Sequence, residues 1–247
     1  VGKVVAISGK GGVGKTTFTA LIIKYLRTKG KTPILAVDAD PSTNLNILLG
    51  MDVRETIGGI REEASLVTRP PTVPLSDFLD YRIQMSIVEG EGVDLLAMGR
   101  PEGKGCYCAA NTNLRESLKR LSSQYRYIII DNEAGIEHIS RQTDTDVDVM
   151  FVVSDPTPRG ILTAKRIRDL AIELENEVRT IYLVLNRVDP ERGVPGLDEI
   201  GDLPLAGIIY EDPKLGEIEM EERPIFHLDD ESPSYKEVGK ILEGVGI

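Results

Sequence analysis

Lys3-Val4-Val5-Ala6-Ile7-Ser8 runs directly into Gly9-Lys10-Gly11-Gly12-Val13-Gly14-Lys15-Thr16-Thr17. The first six residues are β-rich. From Thr17 to Thr28, Phe18, Leu21, Ile22, Tyr25 and Leu26 recur at helical spacing. A strand, a glycine-rich turn and a helix in that order match G-x-x-x-x-G-K-[ST], the phosphate-binding loop pattern. Glycines let the backbone fold tightly and turn its N–H groups around phosphate oxygens. The helix that follows adds its positive N-terminal end. In such a loop Lys15 reaches the β- and γ-phosphates and the Thr16 hydroxyl serves Mg²⁺. ATP and Mg²⁺ are thus the expected ligands, held by Gly9 to Thr17.

Working outward, the same alternation recurs. Pro33–Asp38, Val93–Met98, Tyr127–Asp131, Val147–Ser154, Thr180–Asn186 and Leu205–Ile209 read as strands. Asn111–Ser123 and Ile161–Glu177 read as amphipathic helices between them. Continuous apolar strands alternating with helices predict an α/β fold. Its mostly parallel twisted sheet has about seven strands, with helices on both faces. Residues 1–247 are expected to form one domain. Within it 54–92, interrupted by Arg69-Pro70-Pro71-Thr72-Val73-Pro74, reads as an insertion or lid. In such a sheet ligands bind beyond the carboxyl ends of the strands. Gly9, Asp38, Asp40 and Asp131 all fall there.

Composition narrows the function. The chain has 247 residues, 41% hydrophobic, enough for a substantial core. Its formal net charge of −11 and lack of a dense Lys/Arg cluster argue against nucleic acid and anionic membranes as partners. No apolar run of about eighteen residues offers a membrane span. The opening residues do not read as a secretory signal, and a cytoplasmic protein is expected.

Ile128-Ile129-Ile130-Asp131 is an apolar strand that delivers one carboxylate toward a metal, the Walker B pattern. Asn132-Glu133-Ala134-Gly135 follows as a switch-like turn. The two cysteines, Cys106 and Cys108, are separated only by Tyr107. A disulfide across one residue is strained. Two thiolates so spaced can chelate one metal but cannot complete a four-coordinate site.

The second lysine inside the loop, Lys10, makes the sequence resemble the deviant Walker A ATPases. That family includes the nitrogenase iron protein and the septum-site and partitioning ATPases. The resemblance implies a homodimer that sandwiches nucleotide. In it Lys10 crosses to the partner's nucleotide and stabilises charge on the transferred phosphoryl group, as an arginine finger does. It also implies that Asp40, in Asp38-Ala39-Asp40-Pro41, positions the attacking water and senses Mg²⁺. Asn186 would contact the base. Asp38 would be supporting. A twofold axis would bring Cys106 and Cys108 of both chains into one Cys₄ site.

The chain further resembles the CooC-type maturation ATPases of nickel carbon monoxide dehydrogenase and their relatives serving acetyl-CoA synthase. The carrying segments are the phosphate loop, Asp38-Ala39-Asp40-Pro41, Cys106-Tyr107-Cys108 and Asp131-Asn132-Glu133-Ala134-Gly135-Ile136-Glu137-His138. The resemblance implies Ni²⁺ delivery to one of those client enzymes, with Zn²⁺ as another ion the thiolates would accept. Glu137 and His138, just beyond the switch, admit two readings: a transient relay for nickel, which imidazole suits, or a structural His tying the switch to the fold. Two other readings share the fold: an iron–sulfur scaffold or reductase, and a spatial regulator of the partitioning or septum-site kind. The latter needs an anchor. The mixed Lys/Glu character of the C-terminal segment Ser234–Ile247 reads instead as a helix packed on the domain.

Overall fold

The computed structural model describes residues 2–66, 74–100, 116, 118–133, 147–173, 178–194 and 200–247. Its frame is a seven-stranded sheet in the order β3-β2-β4-β1-β5-β6-β7. The strands are β1 (Lys3–Gly9), β2 (Ile34–Asp38), β3 (Val93–Ala97), β4 (Tyr127–Asp131), β5 (Val147–Ser154), β6 (Val178–Val188) and β7 (Leu205–Tyr210). Each neighbouring pair runs parallel, so the expected α/β architecture is the one observed. β6 extends beyond Thr180–Asn186 at both ends.

Two cores follow from the two-residue period of a strand. On β1, Val5 and Ile7 face one cluster, and Val4 and Ala6 face the other. On β5, Val149, Phe151 and Val153 oppose Met150 and Val152 in the same way. Both faces are therefore apolar, which is why these strands read as continuous runs. The first core is roofed by α1 (Lys15–Thr28), α2 (Leu45–Leu49) and, after α6 (Pro213–Met220), the C-terminal α7 (Pro233–Gly244). Segment 54–92 carries α3 (Ile57–Leu66) and α4 (Leu75–Met85). With α5 (Pro158–Glu173) they cover the second core. Ile57 and Ile60 of α3 and Leu79 and Ile83 of α4 are the anchoring side chains.

The C-terminal segment is a helix packed on the domain, as its composition suggested. Tyr235, Val238, Ile241 and Leu242 of α7 are buried. The Tyr25 hydroxyl donates to Glu243, and the buried Lys24 ammonium pairs with Asp230 at 2.5 Å. The first contact ties α7 to α1, and the second ties α1 to the turn that precedes α7. Among the described residues no helix is long and apolar enough to cross a membrane.

Candidate nucleotide site

β1 lies between β4 and β5, where the chain's crossovers turn to opposite sides of the sheet. Such a switch point leaves a crevice beyond the strand ends, and the phosphate loop opens into it. Gly9 has φ 147°, and a Cβ there would lie 2.3 Å from the Val153 carbonyl oxygen, so only glycine fits. Gly14 caps α1 in a left-handed conformation at φ 89°. Val13 is buried in the first core and pins the loop from below.

The two lysines of the loop occupy opposite environments. Lys10 is exposed on the crest together with Gly11 and Gly12. Lys15 is buried, and its ammonium donates to the Lys10 carbonyl at 3.3 Å. Burial lowers the Lys15 pKa, against the opposing pull of Asp131, Asp40 and Glu133.

Below the loop sits Asp131, 1% exposed. Burial raises its pKa to about 6, against a hydrogen bond from Thr16, the charge of Lys15 and a hydrogen bond from Thr19. The Thr19 hydroxyl donates to it at 3.2 Å. Thr16 and Thr19 are one helical turn apart on α1, so both hydroxyls face the same carboxylate. The donors gathered here are hydroxyl and carboxylate oxygens, the hard set that Mg²⁺ takes together with substrate phosphates. The described residues hold no cluster of three or more His, Cys, Asp or Glu side chains able to enclose a metal unaided. A magnesium ion that shares its shell with phosphate and water fits that arrangement.

Asp38 organises the neighbouring loop. One of its oxygens accepts the Asp40 N–H at 3.1 Å and the other the Leu45 N–H at 2.9 Å. A single buried carboxylate thus ties the start of the 39–44 loop to the first turn of α2. Burial raises the Asp38 pKa to about 7, with Asp131 adding to it and the two N–H donors opposing. The Asp40 carboxylate is turned into its own loop, accepting the Ser42 N–H at 2.8 Å. It is still close enough to act on Lys15 and Asp131 electrostatically.

Asn186 and Arg187 reach the phosphate loop from β6. The pairing of β6 with β7 shifts register between Leu185 and Val188, and Arg187 stands at φ 56°, rare for a residue with a side chain. This bulge directs two consecutive side chains onto the loop. The Asn186 amide donates to the Val13 carbonyl at 2.8 Å, and the Arg187 guanidinium to the Gly12 carbonyl at 3.1 Å. Beside them a cleft of about 530 Å³ is lined by Thr17, Asn186, Arg187, Tyr210, Asp212 and Glu219 among others. That volume suits a nucleoside. Across it the Thr17 hydroxyl donates to Glu219 at 2.5 Å. A cleft of about 670 Å³ near Asp52, Arg82 and Met85 contains none of the loop residues.

The structure therefore brings Gly9 to Thr17, Asp40, Asp131 and Asn186 together. Asp38 joins them in the supporting place expected at the end of its strand. Thr19, Arg187 and Glu219 join them without having been singled out, and of these three Thr19, three residues past Thr16, had a local signal. Cys106, Cys108, Gly135, Glu137 and His138 lie outside the described residues.

Residues 4–225 match the CobQ/CobB/MinD/ParA nucleotide-binding domain family. The chain belongs to that family. It is an ATPase of this kind. An uncharacterised ATP-binding protein of Methanocaldococcus jannaschii is 42% identical over 98% of both chains. The carbon monoxide dehydrogenase accessory protein CooC of Rhodospirillum rubrum is 32% identical over 74% of both. Among solved structures, the septum site-determining protein MinD of Pyrococcus horikoshii, complexed with Mg-ADP, superimposes with a TM-score of 0.75. It is 26% identical, and the match covers 99% of this chain and 96% of that one.

Proposed function

We propose that this ATPase carries nickel to carbon monoxide dehydrogenase or acetyl-CoA synthase in the cytoplasm. It works as a homodimer of single-domain subunits that hold the ion between them. The observation that carries this reading is Cys106-Tyr107-Cys108 in a chain 32% identical to CooC. Two thiolates from each subunit complete a four-coordinate site that one subunit cannot. Nickel is cargo here, and Zn²⁺ competes for the same thiolates.

The ATPase half of the reading assigns roles within the site. Lys15 neutralises the β- and γ-phosphates of its own subunit's nucleotide. Thr16 and Asp131, with Asp40, hold Mg²⁺ directly or through water, and the ion would neutralise phosphate charge. Asp40 orients the attacking water. Asn186 stands at the base cleft. Lys10 projects to the second subunit's nucleotide, and its exposure beside a buried Lys15 supports that division of labour. Exchange of ATP for ADP would reset the dimer and with it the grip on the ion.

The test is molar mass and bound metal measured together on an anaerobic sizing column. Ni²⁺-treated wild type is run beside the Cys106→Ser/Cys108→Ser double variant. One nickel per dimer, lost in the double variant, is expected. Nickel-free monomers in both samples would overturn metal delivery while leaving the ATPase intact. The likeness to MinD favours one other reading, a spatial regulator. Clear ATP-dependent sedimentation with anionic liposomes would favour that reading instead.

A further inference from the structure

The phosphate loop has to be shaped before it can bind, and its own sequence does not complete that shaping. A trans peptide holds the C=O of one residue and the N–H of the next in one plane, pointing opposite ways. Arg187 holds the Gly12 carbonyl and Asn186 holds the Val13 carbonyl. The Val13 N–H therefore points away from Arg187, and the Gly14 N–H away from Asn186. Two adjacent N–H groups presented from successive peptides form an anion-binding nest. Gly14 sits so close that a Cβ on it would come within 2.5 Å of the Asn186 amide nitrogen.

We propose that Asn186 and Arg187 form a two-peptide clamp that presets the Val13 and Gly14 N–H groups for phosphate. They are positioning residues, acting on the nucleotide through the loop backbone. Three features support the pair acting as a unit. The residues are consecutive, they sit on a register shift of β6, and Arg187 takes a left-handed backbone conformation. Strained geometry of that kind persists where the surroundings over-determine it, commonly at binding sites. Arg187 has no carboxylate partner among the described residues, so the guanidinium is not committed elsewhere. The clamp makes the contribution of Asn186 one of phosphate-loop geometry, in addition to any contact with the base. The inference rests on the nucleotide reading of this site.

Arg187→Asn removes the guanidinium but keeps a residue tolerant of φ near +56°. Arg187→Gly removes it and relaxes the backbone. Binding of MgADP and of adenosine is measured for both variants beside wild type, together with melting temperature. Exchange of the Val13 and Gly14 amide protons is followed in nucleotide-free protein. MgADP affinity should fall roughly tenfold in both variants, as loss of one charge-assisted hydrogen bond predicts. Arg187 also lines the nucleoside cleft, so adenosine affinity should fall by clearly less than MgADP affinity does, and the melting temperature should not fall. The two amides should exchange faster. MgADP affinity unchanged in the variants, or an equal loss for adenosine, would overturn the clamp while the nucleotide reading stands. Wild type that fails to bind MgADP would overturn both.

Discussion

Asp38 and Asp131 are register partners at the carboxyl ends of neighbouring parallel strands, and both carboxylates are buried, at 0% and 1% exposure. Adjacent strands lie about 4.8 Å apart. At that depth the charge of Asp131 adds to the rise in the Asp38 pKa, and Lys15 is the cation the loop offers Asp131. The arrangement suits a site that receives a metal ion and a polyphosphate, and it is costly in their absence.

That cost has a pH signature. Burial raises Asp38 to about 7 and Asp131 to about 6, against an ordinary value of 3.8. The folded chain therefore binds more protons than the unfolded chain between those limits. Stability of the nucleotide- and magnesium-free protein falls as pH rises from about 4 to about 7, and the loss is complete above that. Melting temperatures from pH 5 to 8 should decline in wild type and decline less steeply in Asp38→Asn. Parallel profiles would show that Asp38 does not titrate in this range.

The two lysines should separate binding from turnover. Lys15→Ala removes the buried ammonium and should weaken MgATP binding by at least about tenfold, read by calorimetry. Lys10→Ala removes an exposed group and should leave binding within about twofold. Steady-state hydrolysis should nevertheless collapse, and its dependence on protein concentration should disappear. Unchanged turnover in Lys10→Ala would remove the case for a nucleotide shared between subunits.

Gly9 and Gly12 make a controlled pair. Gly9→Ala drives a Cβ to 2.3 Å from a backbone oxygen of β5, whereas Gly12→Ala meets nothing within 4 Å. At φ 78°, Gly12→Ala should cost only the left-handed penalty of about 1–2 kcal/mol. Gly9→Ala should cost clearly more, because neither strand can yield. Chemical denaturation of both variants gives the comparison, and equal losses would contradict the close approach of β1 and β5.

Asp212 joins two elements. It accepts the Lys214 N–H at the start of α6, the hydroxyls of Ser232 and Ser234, and the Ser234 N–H at the start of α7. Burial pushes its pKa up, but these donors hold it below the usual carboxylate value. Asp212→Ala should lower unfolding free energy by about 2–3 kcal/mol, combining a lost cap with orphaned donors. A loss under about 0.5 kcal/mol in urea titrations, the range of ordinary surface changes, would show the network to be dispensable.

Much of this molecule is legible in one dimension because its strands are buried on both faces. Ile128-Ile129-Ile130 can only be such a strand, and glycine spacing in the loop has few other uses. What escaped the sequence is contact made by packing. α3 opens with Ile57-Gly58-Gly59, a poor helical start, and is held by Ile57 and Ile60 in the second core. Segment 54–92 therefore read as irregular. The Thr17–Glu219 bond spans 202 residues, and no local pattern announces it. Arg187 followed a suspected base contact, yet its backbone conformation depends on how β6 pairs with β7.

The hydrogen bonds from β6 also set an order of events during synthesis. Asn186 and Arg187 lie 173 and 175 residues from the loop carbonyls they hold. A nascent chain halted after β5 has emerged carries every glycine and lysine of the motif but lacks the strand that shapes it. Long-range pairings of this kind form late. On the clamp reading, ATP meets a less well shaped loop during the early stages of folding on the ribosome. Its full stabilising effect comes once the far half of the sheet has docked.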